Sequence, residues 1–337
     1  MVDGIIPRYQ PTYRADEINM IIGFARRGES LGFVGIAGVG KSNIVNFLRD
    51  IQHNAPHTSE DVANLRFPVV DATQWQNTAA SLWELMFIAL GQAIKDMSPP
   101  QIDPKVIPFS DDERVFNALQ DQLQWVCQEK KQKVMFILDD FDQVLKIGPL
   151  SMLEKLNVLR SEGNRGYLSY LVFTKKLPHV LGRHHPLDNH SKFYDLFRHD
   201  IYALEPYSQD DAMRMLQHLN QIAGNSLSPN DLQKIYRLAG GHARLLKLVF
   251  EVWLKEGASG IKSTYFAQKN DIQQECKRIL EHLHVEEQQA AIRAAQGKSV
   301  AEDEYVLNHL LYRGILLSVD PVTWFSPIMP QYLSSKG

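Results

Sequence analysis

An apolar run, Leu31-Gly32-Phe33-Val34, leads directly into Gly35-Ile36-Ala37-Gly38-Val39-Gly40-Lys41-Ser42, and Asn43-Ile44-Val45-Asn46-Phe47-Leu48 follows. The three pieces read as a strand, a tight turn and a helix. A G-x-x-x-x-G-K-S spacing in that setting is the signature of a phosphate-binding loop. Its glycines let backbone amides curl around phosphate oxygens, and the start of the helix adds its dipole. The candidate ligand-binding residues are Gly35, Gly38, Val39, Gly40, Lys41, Ser42 and Asn43. Lys41 is assigned to the β/γ phosphates, and the Ser42 hydroxyl to Mg²⁺.

A metal-assisted phosphate chemistry also needs acid. Val134-Met135-Phe136-Ile137-Leu138 is continuously apolar, as in a strand buried on both faces of a parallel sheet, and it ends in Asp139-Asp140-Phe141-Asp142. Carboxylates at the carboxyl end of a central strand stand where such sheets bind ligands. Asp139 is therefore the candidate for the outer shell of Mg²⁺, with Asp140 orienting or deprotonating an attacking water. Arg66 to Ala72 reads as another strand, followed by a helix over about 78–95. Tyr167 to Phe173 is a further strand ending at Thr174-Lys175-Lys176, which makes Thr174 the candidate to touch the γ-phosphate or the water, with Lys175 second. Asp200 to Leu204 is the last of five expected strands. The acidic strand is thus not the immediate sequence neighbour of the loop strand. That spacing suits P-loop ATPases with an extra strand between the two.

From Pro206 the pattern turns helical. Ser208 caps one helix, Ser228-Pro229-Asn230-Asp231 opens a second that ends at Gly240-Gly241, and His242 to Lys247 opens a third. Helices are then expected at about 271–283, 286–296 and 302–313. Two short strands flank Asp320-Pro321, so three helices and a hairpin make a winged-helix pattern. The expected fold is α/β, a P-loop ATPase with a five-stranded parallel sheet, followed by a helical lid and a C-terminal winged-helix domain. The boundaries are 1–205, 206–257 and 258–337. Two stretches read as mobile loops, Ser98 to Ser110 and Pro178 to His190. The second carries His179, His184, His185 and His190 without a metal-ligand spacing.

Composition removes several classes. Lys plus Arg number 36 against 39 Asp plus Glu, a net charge of −3, so the chain is no bulk polycation for nucleic acid. Two distant cysteines, Cys127 and Cys276, exclude a disulfide framework and a Cys-rich zinc site. With no apolar signal segment near Asp3, Pro7 and Arg8, and no run long enough to span a bilayer, a cytoplasmic protein without a membrane partner is expected.

Taken together, the motifs resemble the STAND branch of the AAA+-related ATPases, near the origin-recognition ATPases. Arg8-Tyr9 to Tyr13-Arg14-Ala15-Asp16-Glu17 is similar to the family's N-terminal box, which implies that Tyr13 and Arg14 line the adenine. Leu204-Glu205-Pro206-Tyr207-Ser208 resembles the family's entry to the lid. Gly240-Gly241-His242-Ala243-Arg244 resembles its GGHPR turn, with Ala243 in place of the proline, and implies that Arg244 meets the nucleotide. The resemblance implies ATP/ADP and Mg²⁺ as cofactors, self-association on ATP binding, and an unidentified protein partner or effector.

The leading expectation is a slowly hydrolysing switch in signalling or defence, closed with ADP and open with ATP. Asp140 in place of the usual Glu is the reason to expect slow turnover. The alternative is an AAA+ ATPase of DNA metabolism that uses the winged helix on duplex. Residues 258–337 hold eight Lys or Arg against nine Asp or Glu, and the third helix begins Ala301-Glu302-Asp303-Glu304 with Arg313 at its far end. That acidic leading edge disfavours duplex DNA as the partner of the winged helix. Arg198, before the last strand, reads most simply as a surface arginine paired with Asp195 or Asp200. AAA+ relatives place there a residue that reaches a neighbouring subunit's ATP.

Overall fold

The computed structural model describes residues 9, 12–51, 62–97, 112–161, 163–176, 178, 191–257, 262–298 and 304–335. Arg8, the 98–110 stretch and the four histidines of the 178–190 stretch lie outside the described residues.

The apolar runs become strands of one sheet. β1 (Leu31–Val34) and β5 (Leu168–Thr174) are buried along their whole length, and β4 (Lys133–Asp139) everywhere but its ends. Burial on both faces explains why these sequences are continuously apolar instead of alternating. β4 pairs with β5 and β5 with β1, both parallel. The stretch expected as one strand at Arg66 to Ala72 divides into β2 (Leu65–Arg66) and β3 (Val69–Asp71), each parallel to β4 on the same side. Pro68 sits at the break. It has no N–H for a ladder, but its carbonyl accepts from Ile137 N–H at 2.8 Å, so the edge stays attached. β6 (Ile201–Ala203) lies beyond β1, where Gly32 N–H donates to the Asp200 carbonyl at 2.9 Å. The order is β2/β3–β4–β5–β1–β6, five strand positions with one of them interrupted. β5 separates the loop strand from the acidic strand, as the spacing implied.

Among the described residues, seven α-helices belong to this part of the chain: α1 (Ala15–Arg27), α2 (Lys41–Arg49), α3 (Ala79–Ala93), α4 (Asp112–Gln124), α5 (Asp142–Ile147), α6 (Leu150–Ser161) and α7 (Lys192–Asp195). Thr78 caps α3 by accepting Ser81 N–H at 3.2 Å, a bond whose loss typically costs about 1 kcal/mol. Trp83 on α3 is fully buried edge-on to Phe116 of α4, with ring centres 5.1 Å apart. Its indole N–H donates to Asp112 at 2.7 Å, and Asp112 also holds Lys155 at 3.0 Å. The largest side chain of this core therefore buries its one polar atom with a partner.

Backbone contacts group the chain into two compact units. Ala15–Val34 and Ser42–Tyr202 form the sheet unit, while the chain up to Arg14, Gly35–Lys41 and Ala203 onwards form the other. The second unit is helical: α8 (Gln209–Ile222), α9 (Pro229–Ala239), α10 (Ala243–Glu256), α11 (Ser263–Ala267), α12 (Asn270–Glu281), α13 (Val285–Ala295) and α14 (Glu304–Tyr312). The antiparallel hairpin β7 (Leu316–Val319) and β8 (Val322–Trp324) and a last helix α15 (Ile328–Ser334) complete it.

The expected caps are in place. Ser208 accepts Asp211 N–H at 3.2 Å, and Ser228 and Asp231 form a reciprocal capping box. Gly240 ends α9 at φ 61°, and a methyl group there would run into the Phe325 carbonyl. Only glycine meets both demands. Ser326 then donates to the Leu238 carbonyl at 2.6 Å, which fastens the end of the hairpin to the end of α9. Arg313, at the far end of the third winged-helix helix, is fully buried and pairs with Glu287 at 2.6 Å. It is a core ion pair and presents no charge to a groove. Among the described residues, no helix is long and apolar enough to cross a membrane.

Candidate functional site

The phosphate loop is held by its carbonyl oxygens. Lys41 Nζ donates to the carbonyls of Gly35 at 2.7 Å and Ile36 at 3.3 Å. His242 Nε2 donates to Ala37 O at 2.7 Å, Arg244 N–H to Gly38 O at 3.1 Å, and Arg14 Nη2 to Val39 O at 3.3 Å. Five consecutive carbonyls are thus engaged. In a trans peptide the next N–H points opposite to the carbonyl, so the Ala37 and Val39 bonds turn the amides of Gly38 and Gly40 to the other side. That is the arrangement an anion cradle requires. Gly38 and Gly40 have φ of 76° and 116°, and a methyl group at Gly40 would come within 2.9 Å of the Tyr207 hydroxyl. The pattern of glycines in the sequence is thereby accounted for by backbone shape.

Around the loop stand residues that the sequence singled out for other reasons. Arg14 is buried, with φ 41°; its guanidinium also donates to Glu205 O at 2.8 Å and lies 4.5 Å from the centre of the Tyr207 ring. It ties the Tyr13-Arg14 segment to the loop and to Glu205. Tyr13 is buried, shares a 3.3 Å hydroxyl contact with Tyr207, and lies 4.9 Å from Tyr9, ring centre to ring centre. Burial raises the Tyr13 phenol well above its ordinary value, with Tyr207 adding to the rise. Arg244 keeps its side chain exposed while its backbone caps the loop.

His242 is the residue that sequence reasoning passed over. It is fully buried at the N-cap of α10, where Nδ1 accepts from Leu245 N–H at 3.2 Å. Since Ala37 O can only accept and Leu245 N–H can only donate, the ring is neutral with its proton on Nε2. Burial pushes the imidazole down to about 4 against the opposing pull of the Ala37 bond, and the charges of Arg278 and Lys41 add to the depression. Its position after Gly240-Gly241 was a helix-start signal, but nothing in the sequence showed that the ring would reach the loop.

In the sheet unit, Asp139 and Asp71 end β4 and β3 and are paired in register. Burial alone would raise the Asp71 carboxyl. Hydrogen bonds from Thr73 and Gln74, with the charge of Lys175, hold it below its usual value instead. Asp71 was legible as an acid ending a strand, though the sequence reading gave it no role. The DDxD turn is sewn to the end of β5. Asp139 Oδ1 accepts Asp140 N–H at 3.0 Å, Asp140 sits at φ 52°, and Phe141 N–H donates to Phe173 O at 3.0 Å. Asp142 accepts the backbone N–H groups of Lys175 and Lys176 at 3.0 Å, so its task is structural. Asp140 pairs with Lys175 Nζ at 2.8 Å, both about a quarter exposed. Thr174 is buried at the end of β5, opposite Val34 in register, and Ser42 is exposed on the first turn of α2.

Arg198 pairs with Asp195 at 3.1 Å on the surface, the simpler of its two readings. Among the described residues no three His, Cys, Asp or Glu side chains form a cluster able to hold a metal by themselves. The oxygen donors Ser42 and Asp139 suit Mg²⁺, which keeps several waters and takes few protein ligands.

No family profile and no curated protein matches the chain. Solved structures do. The Walker-type ATPase PABY2304 of Pyrococcus abyssi is similar over 95% of this chain and 95% of its own, at 13% identity and TM-score 0.58. The Aeropyrum pernix ORC2 protein in its ADPNP–ADP complexes is similar over 100% of this chain and 97% of its own, at 13% identity and TM-score 0.54; its ADP form gives 14% and 0.55 over the same shares. These are origin-recognition-type and Walker-type AAA+ P-loop ATPases. The likeness shows the fold. The chain has their P-loop α/β architecture with a winged-helix C-terminus.

Proposed function

We propose that this protein binds ATP and ADP with Mg²⁺ and hydrolyses ATP slowly. The observation that carries the reading is the loop with five engaged carbonyls, which turns the amides of Gly38 and Gly40 toward a ligand and holds the Lys41 ammonium over the same loop. The two similar Aeropyrum pernix ORC2 structures are ADPNP–ADP and ADP forms, which supports a nucleotide as the ligand. Bound Mg·ATP would supply the reactive phosphoanhydride. Lys41 would hold its β/γ phosphates, Ser42 and Asp139 its metal, and Asp140 with Thr174 the attacking water. Arg244 would reach the nucleotide from the lid, and Tyr13 would stand on the base side.

The likeness to an origin-recognition protein supports an ATPase of DNA metabolism better than a signalling switch. It also weakens the expectation that duplex DNA is no partner. Arg313, buried against Glu287, is not the residue that would hold a DNA phosphate.

Two measurements test this reading. Steady-state phosphate release should be slow in wild type and lost in Lys41→Ala. A fluorescence anisotropy titration with duplex DNA, with ATP and with ADP, should show binding that weakens steeply with salt. Nucleotide turnover without any DNA binding returns the protein to the switch reading. Turnover that survives Lys41→Ala removes the loop from the mechanism.

A further inference from the structure

One side of Gly38 is covered by the winged-helix segment. A methyl group built there would run into the Glu275 carboxylate of α12, and would meet the His242 ring at 2.7 Å and Arg244 Cβ at 3.0 Å. Glu275 is 5% exposed, which is unusual for a carboxylate, and it pairs with Arg278, one turn further along α12, at 2.9 Å. Arg278 is about half exposed at 48%. A negative charge therefore lies against the loop whose glycines and lysine are arranged for phosphate, and an exposed cation lies beside it.

We propose that Glu275 and the phosphates of a bound nucleotide compete for the cations at the loop, so that nucleotide binding and the docking of α12 on Gly38 oppose each other. The proposal rests on the nucleotide reading above. With the loop empty, the Glu275 charge is answered by Arg278 and by the positive field of Lys41. When phosphates enter, they take up the same field, and the carboxylate becomes a like charge held nearby in a buried setting where screening is weak. Arg278 can turn from Glu275 toward the phosphates, because its exposed guanidinium is not fixed by burial. The triphosphate carries one more charge than the diphosphate and is opposed more strongly. The winged helix thereby gains a means of sensing which nucleotide is bound, with no residue of its own in the cradle.

Calorimetric titration of the full chain with Mg·ADP and Mg·ATP tests this in wild type, Glu275→Gln, Arg278→Gln and Lys41→Ala. Glu275→Gln keeps the size and the contact with Gly38 but removes the charge. It should tighten binding on the order of tenfold, the scale of one like charge at roughly 10 Å, with the larger gain for ATP. Arg278→Gln should weaken binding of both nucleotides, and raised salt should shrink both effects. A pair that only packs the helix would move both variants in the same direction. Unchanged or weaker binding by a folded Glu275→Gln, or unchanged or tighter binding by Arg278→Gln, overturns the proposal while Lys41→Ala still marks the site. If Glu275→Gln does not fold, the sign of the Arg278→Gln effect decides alone. Absence of binding by wild type and every variant overturns the nucleotide reading itself.

Discussion

Replacing His242 with asparagine should flatten part of the acid dependence of stability. The imidazole is fully buried, donates to Ala37 O and accepts from Leu245 N–H, so a second proton on Nδ1 would break the cap and strand a charge. Burial holds its folded value at about 4, against an ordinary 6.5. Between those limits the unfolded chain binds more protons than the folded one, so stability rises with pH. The contribution is complete above pH 6.5, falls as pH drops toward 4, and changes no further below that. The slope is about 1.4 kcal/mol per pH unit within the window, so wild type should lose about 2 kcal/mol from this group between about pH 7 and pH 5.

The asparagine of the His242→Asn variant can still cap α10 but does not titrate. Urea unfolding of wild type and His242→Asn at about pH 7, 6 and 5 isolates the term, because the other carboxylates and histidines are common to both. At neutral pH the variant should be weaker by about 1–3 kcal/mol for the unmade bond to Ala37. At the acid end of the series most of that gap should have closed. Parallel pH curves for the two proteins would refute the assignment of a neutral, loop-bound imidazole.

Arg313→Met should cost about 3–5 kcal/mol in urea unfolding by leaving the buried Glu287 charge without its cation, and Arg313→Met with Glu287→Gln, which removes the charge but still accepts His284 N–H, should recover most of it. Asp140→Asn should preserve ATP binding and lower phosphate release, and it also frees Lys175 from its pair. Asp139→Asn should instead weaken the dependence of turnover on Mg²⁺, and hydrolysis at the wild-type rate by both variants would leave the DDxD segment as a turn alone.

The sequence exposed what depends on local physics. The phosphate loop, the buried strands with continuous apolar runs, the Ser208 and Ser228 caps and the Asp320-Pro321 hairpin all declare themselves within a few residues. Pro68 was visible, yet only its pairing with β4 shows that the strand divides and stays attached. What the sequence could not show was set by long-range packing. Arg14, assigned to the base by resemblance, has its guanidinium engaged by Val39 O and Glu205 O. Arg313 looked like the end of a surface helix and is buried against a glutamate 26 positions away. Glu275 carries no motif, and it matters because α12 brings it to Gly38.

Equilibrium binding of Mg·ATP and Mg·ADP to wild type and Lys41→Ala, by calorimetry, tests the central claim that the loop is a nucleotide cradle. Lys41 lies over the loop and brings it a cation held by the Gly35 and Ile36 carbonyls, so its removal should weaken binding about tenfold to hundredfold, the scale of a charge-assisted hydrogen bond. Undiminished binding by a folded Lys41→Ala would place the nucleotide elsewhere and contradict the account.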